Sequence, residues 1–561
     1  MDYKQYISEK LQVEGVSKSE IYDSIALPPT TEMGDYALPC FKFAKVLRKS
    51  PVMIAQDLAA AYPTDDVVCE VNAVNGYLNF KINKTDFVSA TVEKILNEGD
   101  KFGASKEGEG KVVCIDYSSI NIAKPFHIGH LSTTVLGGAL YRILNFLGYK
   151  AVGINHLGDY GTQFGKLISA YKRWGNQADI EAGGIRALNE LYVRFHREAE
   201  EQPELEDEAR AYFKKIETGD EECLSLFHWF KDLTLKDVQK IYEMLDIRFD
   251  SYAGESFYSD KMQPIVDELK EKGLLQESQG AQVVDLEAYG MPPCIILKKD
   301  GSSLYATRDM AAAAYRKQTY DFHKCLYVVA YQQNLHFKQF FKALELMGKD
   351  WAKDLVHVAY GMVSLEEGTM STRKGNVVFL EDVINKCIEK AYTIIDEKNP
   401  NLAGKEDVAK TVGVGAVIFG ALYNNKIKDI VFSYDKVLNF DGETSVYVQY
   451  TYARANSVVQ KGGEAKAYKM PALDGAEIEL VKALATFPDT VRLAAEKYEP
   501  SYIARFAVDV AQKFNKFYFD CKILSADDED VKNFRLALTA ATKQALKNAF
   551  ALLGIGMPDK M

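Results

Sequence analysis

No apolar run in the 561 residues approaches the ~20 needed to span a bilayer, and the opening MDYKQYISEK has no apolar leader core. No membrane partner is therefore expected, and the expected location is cytoplasmic. Cysteine lacks pattern: Cys40, Cys69, Cys114, Cys223, Cys294, Cys325, Cys387 and Cys521 are scattered, without a C-x-x-C pair or zinc-ligand spacing. Buried thiols, and no resident metal, are expected. A basic excess is missing as well. The 68 Lys+Arg against 79 Asp+Glu leave a net charge of −11, which argues against indiscriminate nucleic-acid binding through phosphate neutralisation. The deficit is uneven, because residues 391–561 carry 22 Lys+Arg and 22 Asp+Glu, so residues 1–390 hold the whole excess. The C-terminal third is the least acidic place for a nucleic acid to dock. Internal repeats and low-complexity tracts are absent.

What is present is ordinary globular composition, 47% hydrophobic and 26% charged, in a chain too long for one core. Three segments are expected. Residues 1–108 read as a small α+β unit, with a helix over 51–62 and strands at Val67–Val71 and Tyr77–Ile82, ending near the charged stretch KEGEGK. Residues 109–390 alternate strands and helices. The apolar runs Val112–Asp116, Ala151–Asn155, Cys325–Ala330 and Val356–Val363 suit a buried parallel sheet of Rossmann-like α/β type, and about 166–290 reads as a mainly helical insertion covering its site. Residues 391–561 read as wholly helical, with helices at 403–424, 444–461, 474–497, 500–521 and 528–553 forming a bundle.

The stretch KVVCIDYSSINIAKPFHIGHL, residues 111–131, carries the chemistry. A hydrophobic run stops at Asp116, a polar loop follows, and His127-Ile128-Gly129-His130 opens an apolar-periodic helix. Doubly wound sheets bind nucleotides at the carboxyl ends of their strands, where helix N-termini offer free N–H groups to phosphate. His127 and His130, three apart, share a face, and Gly129 lets a base or ribose approach the backbone.

With Ser119, Asn121, Lys124, Pro125 and Phe126 ahead of the histidines, the stretch resembles the first signature of class I aminoacyl-tRNA synthetases, specifically the arginyl-tRNA synthetase family. The run Asn155-His156-Leu157-Gly158-Asp159-Tyr160-Gly161-Thr162-Gln163-Phe164-Gly165 is similar to that family too, as are Gly34-Asp35-Tyr36-Ala37 and the ending Leu552 to Met561. The resemblance implies ATP as substrate with Mg²⁺, L-arginine and tRNA(Arg) as partners, and transfer to the 2′-hydroxyl of the terminal adenosine. It further implies tRNA-dependent activation, an N-terminal domain at the tRNA elbow and a C-terminal anticodon-binding bundle. A monomer is expected.

Activation joins a carboxylate to the α-phosphate of ATP. The nucleophile is already ionised, so the site must supply alignment and charge stabilisation and no base. His127 and His130 suit that task as donors, with Lys124 as a nearby point charge. The second class I signature matches Thr369-Met370-Ser371-Thr372-Arg373-Lys374-Gly375-Asn376, where Thr369 and Thr372 replace the usual lysines. Arg373 and Lys374 are the compensating candidates, and Met370 and Ser371 join the ATP site by resemblance. A guanidinium is best held by a carboxylate fork. Tyr305 and Asp309 are i,i+4 on an alanine-rich helix and are expected to project into one pocket. The resemblance assigns the arginine side chain to Tyr305, Asp309 and Gln333, the latter in Gln332-Gln333-Asn334-Leu335-His336-Phe337. Asp116, Ser119, Asn121 and His130 complete the arginine site, and Ile120 departs from a common proline. Lysine would leave the fork's acceptors unpaired, so no editing domain is expected.

For tRNA, Tyr447-Val448-Gln449-Tyr450-Thr451-Tyr452-Ala453-Arg454 resembles the helix that starts the anticodon bundle, which points to Tyr450 and Arg454. Phe517 and Tyr518, with Phe514, are aromatics for unstacked bases, although at least two of the three are expected in the core. Two rivals are a small-molecule nucleotidyltransferase sharing His-x-Gly-His, disfavoured by the long helical tail, and a catalytically silent RNA-binding relative, disfavoured by the intact His127, His130, Asp309 and Lys374.

Overall fold

A computed structural model describes residues 3–28, 33–122, 124–299, 305–366 and 378–561. Contacts divide the chain into two units that do not follow the three sequence segments. The first comprises Met1–Gly99, Val458–Ala485 and Lys513–Gln544. Its antiparallel sheet has strands β1 (Tyr36–Pro39), β2 (Val68–Val74) and β3 (Tyr77–Ile82) in the order β1-β3-β2. β2 and β3 are joined by Asn75-Gly76, both at positive φ (51° and 83°), the two-residue turn that matches strand twist. Helix Pro51–Ala61 starts on a Ser50 cap, and helix Lys84–Glu98 starts on Asn83, whose side chain accepts from Thr85 and Asp86 N–H. Lys482 pairs with Asp35 at 2.8 Å.

The second unit comprises Asp100–Ser457, Thr486–Gln512 and Ala545–Met561. Strand β4 (Val112–Asp116) leads through helix Leu131–Phe146 to β5 (Lys150–Ile154). Helices Thr162–Trp174, Gln177–Glu201, Glu204–Glu217, Glu221–Met244 and Met262–Glu271 follow. The expected helical insertion then ends in strand. β6 (Leu275–Ser278), β7 (Ala281–Val284) and β8 (Cys294–Leu297) form an antiparallel meander, whose first turn, Gln279-Gly280, has positive φ at both residues. After helix Tyr305–Tyr320 the chain returns as β9 (Lys324–Ala330), helix Asn334–Leu346 and β10 (Leu355–Tyr360). These strands form a fully parallel sheet, order β10-β9-β4-β5. The order switches direction between β4 and β9, where such sheets bind ligands. Helix Leu131–Phe146 lies close against this layer, since a Cβ on Gly137 would stand 2.2 Å from the Tyr117 ring.

Three expectations are corrected. Val356–Val363 is two strands, β10 and then β11 (Val363–Leu365). The region after 390 is not wholly helical, because β12 (Ile430–Phe432) pairs in parallel with β11. The helix expected at 474–497 is two, Gly475–Ala485 and Phe487–Glu496, with Pro488 in the first turn of the second. The other four expected helices appear as Lys405–Leu422, Ser445–Gly462, Ser501–Asp520 and Glu529–Leu553. Among the described residues, no helix is long and apolar enough to cross a membrane.

Candidate active site

The histidine pair builds its own turn. His127 is extended (φ −105°, ψ 170°) and precedes a short 3₁₀ turn, Ile128–His130. Its Nδ1 accepts from Gly129 N–H at 3.0 Å, and His130 Nδ1 accepts from His127 N–H at 3.2 Å. The two imidazoles thus replace the usual Ser/Glu capping box, and their centroids lie 4.0 Å apart. With both Nδ1 atoms used as acceptors, each neutral ring carries its proton on Nε2. Burial, helped by Lys124, pushes His127 down to about 4, and burial with the His127 charge holds His130 well below the ordinary range. Near neutral pH both rings are uncharged donors.

The loop after β4 is strained and heavily pinned. Ser118 and Ser119 have φ of 68° and 28°, a region costly for residues with a Cβ. Ser118 is held by Thr134 and Tyr242 hydroxyls, each at 2.8 Å, and its N–H donates to Thr133 at 3.0 Å. Ser119 donates to Asp116 at 2.6 Å. The other Asp116 oxygen accepts from Arg316 at 2.7 Å, in a pair whose side chains are 6% and 1% exposed. Asp116 thus orients Ser119 through one oxygen and is paired inside the protein through the other. Asn121 bridges to Gly158, where a Cβ would stand 2.3 Å from its Oδ1.

Of four acids around this loop, three are matched to a Lys or Arg. Asp116 pairs with Arg316, Asp159 with Lys231 at 2.7 Å, and Glu255 with Arg308 at 2.7 Å. Asp309, among the described residues, forms no such pair. Its Oδ2 meets His336 Nε2 at 2.6 Å, and Oδ1 lies 3.9 Å from His156 Nε2. Burial alone would raise the Asp309 carboxyl, but the His336 bond, with the His336, His156 and Arg316 charges, outweighs it and holds the group below the ordinary value. Burial pushes Glu255 up to about 7 despite Arg308, with Asp309 and Asp159 adding to the rise and Lys124 opposing it.

Of the remaining expected residues, Tyr305 is 66% exposed, with the Arg308 guanidinium 5.9 Å from its ring, so it does not project with Asp309 into one buried pocket. It is the first described residue of its helix, where few neighbours enclose it. Gln333 is exposed at the end of the turn Tyr331–Gln333. Met370, Ser371, Arg373 and Lys374 lie outside the described residues. Tyr450 is 40% exposed, with the Arg454 guanidinium 5.0 Å from its ring. Phe517 is corrected: like Phe514 it is fully buried and cannot stack on a base, whereas Tyr518 is exposed. His156, His336, Arg308, Arg316, Lys231 and Glu255 were not singled out from the sequence. His156 and His336 lie inside quoted motifs, but Glu255 meets partners 53 or more residues away and carries no local signal.

The chain matches a family model described as the catalytic domain of tRNA synthetases class I (R) over residues 91–434. It also matches a DALR anticodon binding domain over 448–561 and an arginyl tRNA synthetase N terminal domain over 1–82. It is 53% identical over 565 residues to the arginine–tRNA ligase of Alkaliphilus metalliredigens and 53% identical over 566 residues to that of Clostridioides difficile, covering 100% of both chains each time. Among solved structures it resembles the arginyl-tRNA synthetase of Thermus thermophilus, with TM-score 0.81, 26% identity and 96% of each chain covered. The fold is shared with the Plasmodium falciparum arginyl-tRNA synthetase at TM-score 0.78 and 24% identity, over 96% and 94% of the two chains.

Proposed function

The chain belongs to the class I arginyl-tRNA synthetases and ligates arginine to tRNA(Arg) at the expense of ATP, and from that premise we propose how its residues divide the work. Asp309 holds the guanidinium. The observation carrying this is its charge: among the described residues, three neighbouring acids have Lys or Arg partners, and Asp309 is paired with imidazoles alone. A substrate cation completes the balance. Tyr305 and Gln333 are assigned to the same side chain, and Ser119, oriented by Asp116, works with Asn121 on the α-amino and carboxylate groups.

The substrate carboxylate then attacks the α-phosphate of ATP and pyrophosphate leaves. His127 and His130 donate from Nε2 to phosphate oxygens, with Gly129 beside them. Lys124 adds charge, and Met370, Ser371, Arg373 and Lys374 serve the phosphates from the second signature. Removing one such donor costs about 10²–10³ in rate if its bond is made only in the transition state. The terminal adenosine 2′-hydroxyl next attacks the activated carbonyl and AMP departs. Mg²⁺, carried on the triphosphate, would neutralise phosphate charge.

The three-segment division (1–108, 109–390, 391–561) is proposed to separate elbow contact, catalysis and anticodon contact, with Tyr450, Arg454 and Tyr518 touching tRNA. The reading includes a cytoplasmic monomer and arginine activation that waits for tRNA. Charging total tRNA with each amino acid in turn tests the specificity. Arginine alone is expected to be esterified, and comparable charging with lysine would overturn the assignment of the pocket.

A further inference from the structure

The helical segment between β5 and β6 grips the histidine turn's neighbour through an arginine. Helix Gln177–Glu201 is broken at Gly184, with φ 56° and ψ −137°. Asp237, on helix Glu221–Met244, closes the break: its Oδ2 accepts from Ile185 N–H at 2.8 Å, and a Cβ on Gly184 would lie 2.2 Å from that oxygen. Two residues on, Arg186 reaches helix Leu380–Lys398. Its guanidinium carbon is 4.0 Å from the Phe379 ring centroid, its two terminal nitrogens lie 2.7 and 3.3 Å from the Asp382 oxygens, and Glu381 is 3.6 Å away.

What Arg186 grips is the strand-like partner of the nucleotide turn. Phe379 bridges to His127, Val378 C=O accepts from Ile128 N–H at 3.3 Å, and Leu380 N–H donates to Phe126 C=O at 2.9 Å. Behind the grip lies a cavity of about 690 Å³, lined by Phe126, Gly184, Arg186, Asp237, Phe379 and Glu381 among others.

We propose that Arg186 is a positioning residue for ATP: it fixes Val378–Leu380, and through them the turn that spaces the two imidazoles. This gives the helical insertion a part in nucleotide binding without touching nucleotide. A planar fork that both stacks on a ring and pairs with a carboxylate is a task for arginine, and lysine fills only part of it.

The inference rests on His127 and His130 serving ATP, so the test carries His127→Asn as a control. Arg186→Ala is expected to raise the KM for ATP about five- to tenfold, because the stacking on Phe379 and the bidentate pair with Asp382 both disappear, with the KM for arginine and the Tm unchanged. Arg186→Lys should recover part of the loss. Asp382→Asn, at an exposed position, should shift the ATP KM in the same direction without touching packing. An unchanged ATP KM in Arg186→Ala, or an equal rise in both KM values, overturns the inference alone if His127→Asn still raises the ATP KM or lowers kcat. If His127→Asn changes neither, the nucleotide reading falls and the inference with it.

Discussion

At His127 the backbone decides the chemistry of the side chain. Gly129 N–H occupies Nδ1, so Nε2–H is the group left to donate, and burial keeps the ring neutral down to about pH 4. The sign follows from linkage. The folded value lies below the ordinary 6.5, so this ring's contribution to stability is present above 6.5 and is lost as pH falls toward 4. The KM for ATP should therefore stay flat from pH 8 to 6, and a protonation near 6.5 governing it would contradict the neutral-donor assignment. Glu255 behaves oppositely. Its carboxyl, raised to about 7 in part by Asp309, loses that neighbour's negative field when a guanidinium arrives. Arginine binding near pH 7 should release a fraction of a proton, seen as a buffer-dependent enthalpy in calorimetry, and arginine should bind more weakly as pH falls below 7. Proton uptake on binding would reverse the assignment.

Elements carry constraints that single residues do not reveal. Gly184→Ala forces a Cβ into the Asp237 carboxylate at a positive φ, and should cost about 1–3 kcal/mol, read as a lower Tm. On helix Ser501–Asp520 two nearby aromatics should part company. Phe517→Ala, fully buried, should lose about 3–5 kcal/mol of stability, whereas Phe519→Ala, 90% exposed, should stay within about 0.5 kcal/mol. Equal effects would mean that the helix is rotated from its described face. The parallel strands were legible because continuous apolar runs such as Val113–Ile115 have little alternative to burial on both faces. The β6–β8 meander was not, because four-residue strands of mixed polarity have no period to detect and Gln279-Gly280 is a weak turn signal. Within the site, motif residues such as His127, Asn121 and Asp309 were readable by type and order. The Glu255–Arg308 and Asp116–Arg316 pairs were not, because charge matching across 53 and 200 residues exists only after folding.

Across the whole molecule, catalysis and tRNA binding are assigned to different parts of one acidic chain, and the proposed dependence of activation on tRNA couples them. Pyrophosphate exchange by the purified protein should require tRNA(Arg), and equal rates with and without it would remove that coupling. All of this depends on one unbalanced carboxylate. The kcat/KM for arginine in aminoacylation, compared between the native protein and Asp309→Asn, tests it most directly. Removing the charged partner of a guanidinium should lower that value by at least about 100-fold and leave the KM for ATP unchanged. Arginine charging by Asp309→Asn at native efficiency would contradict the central claim.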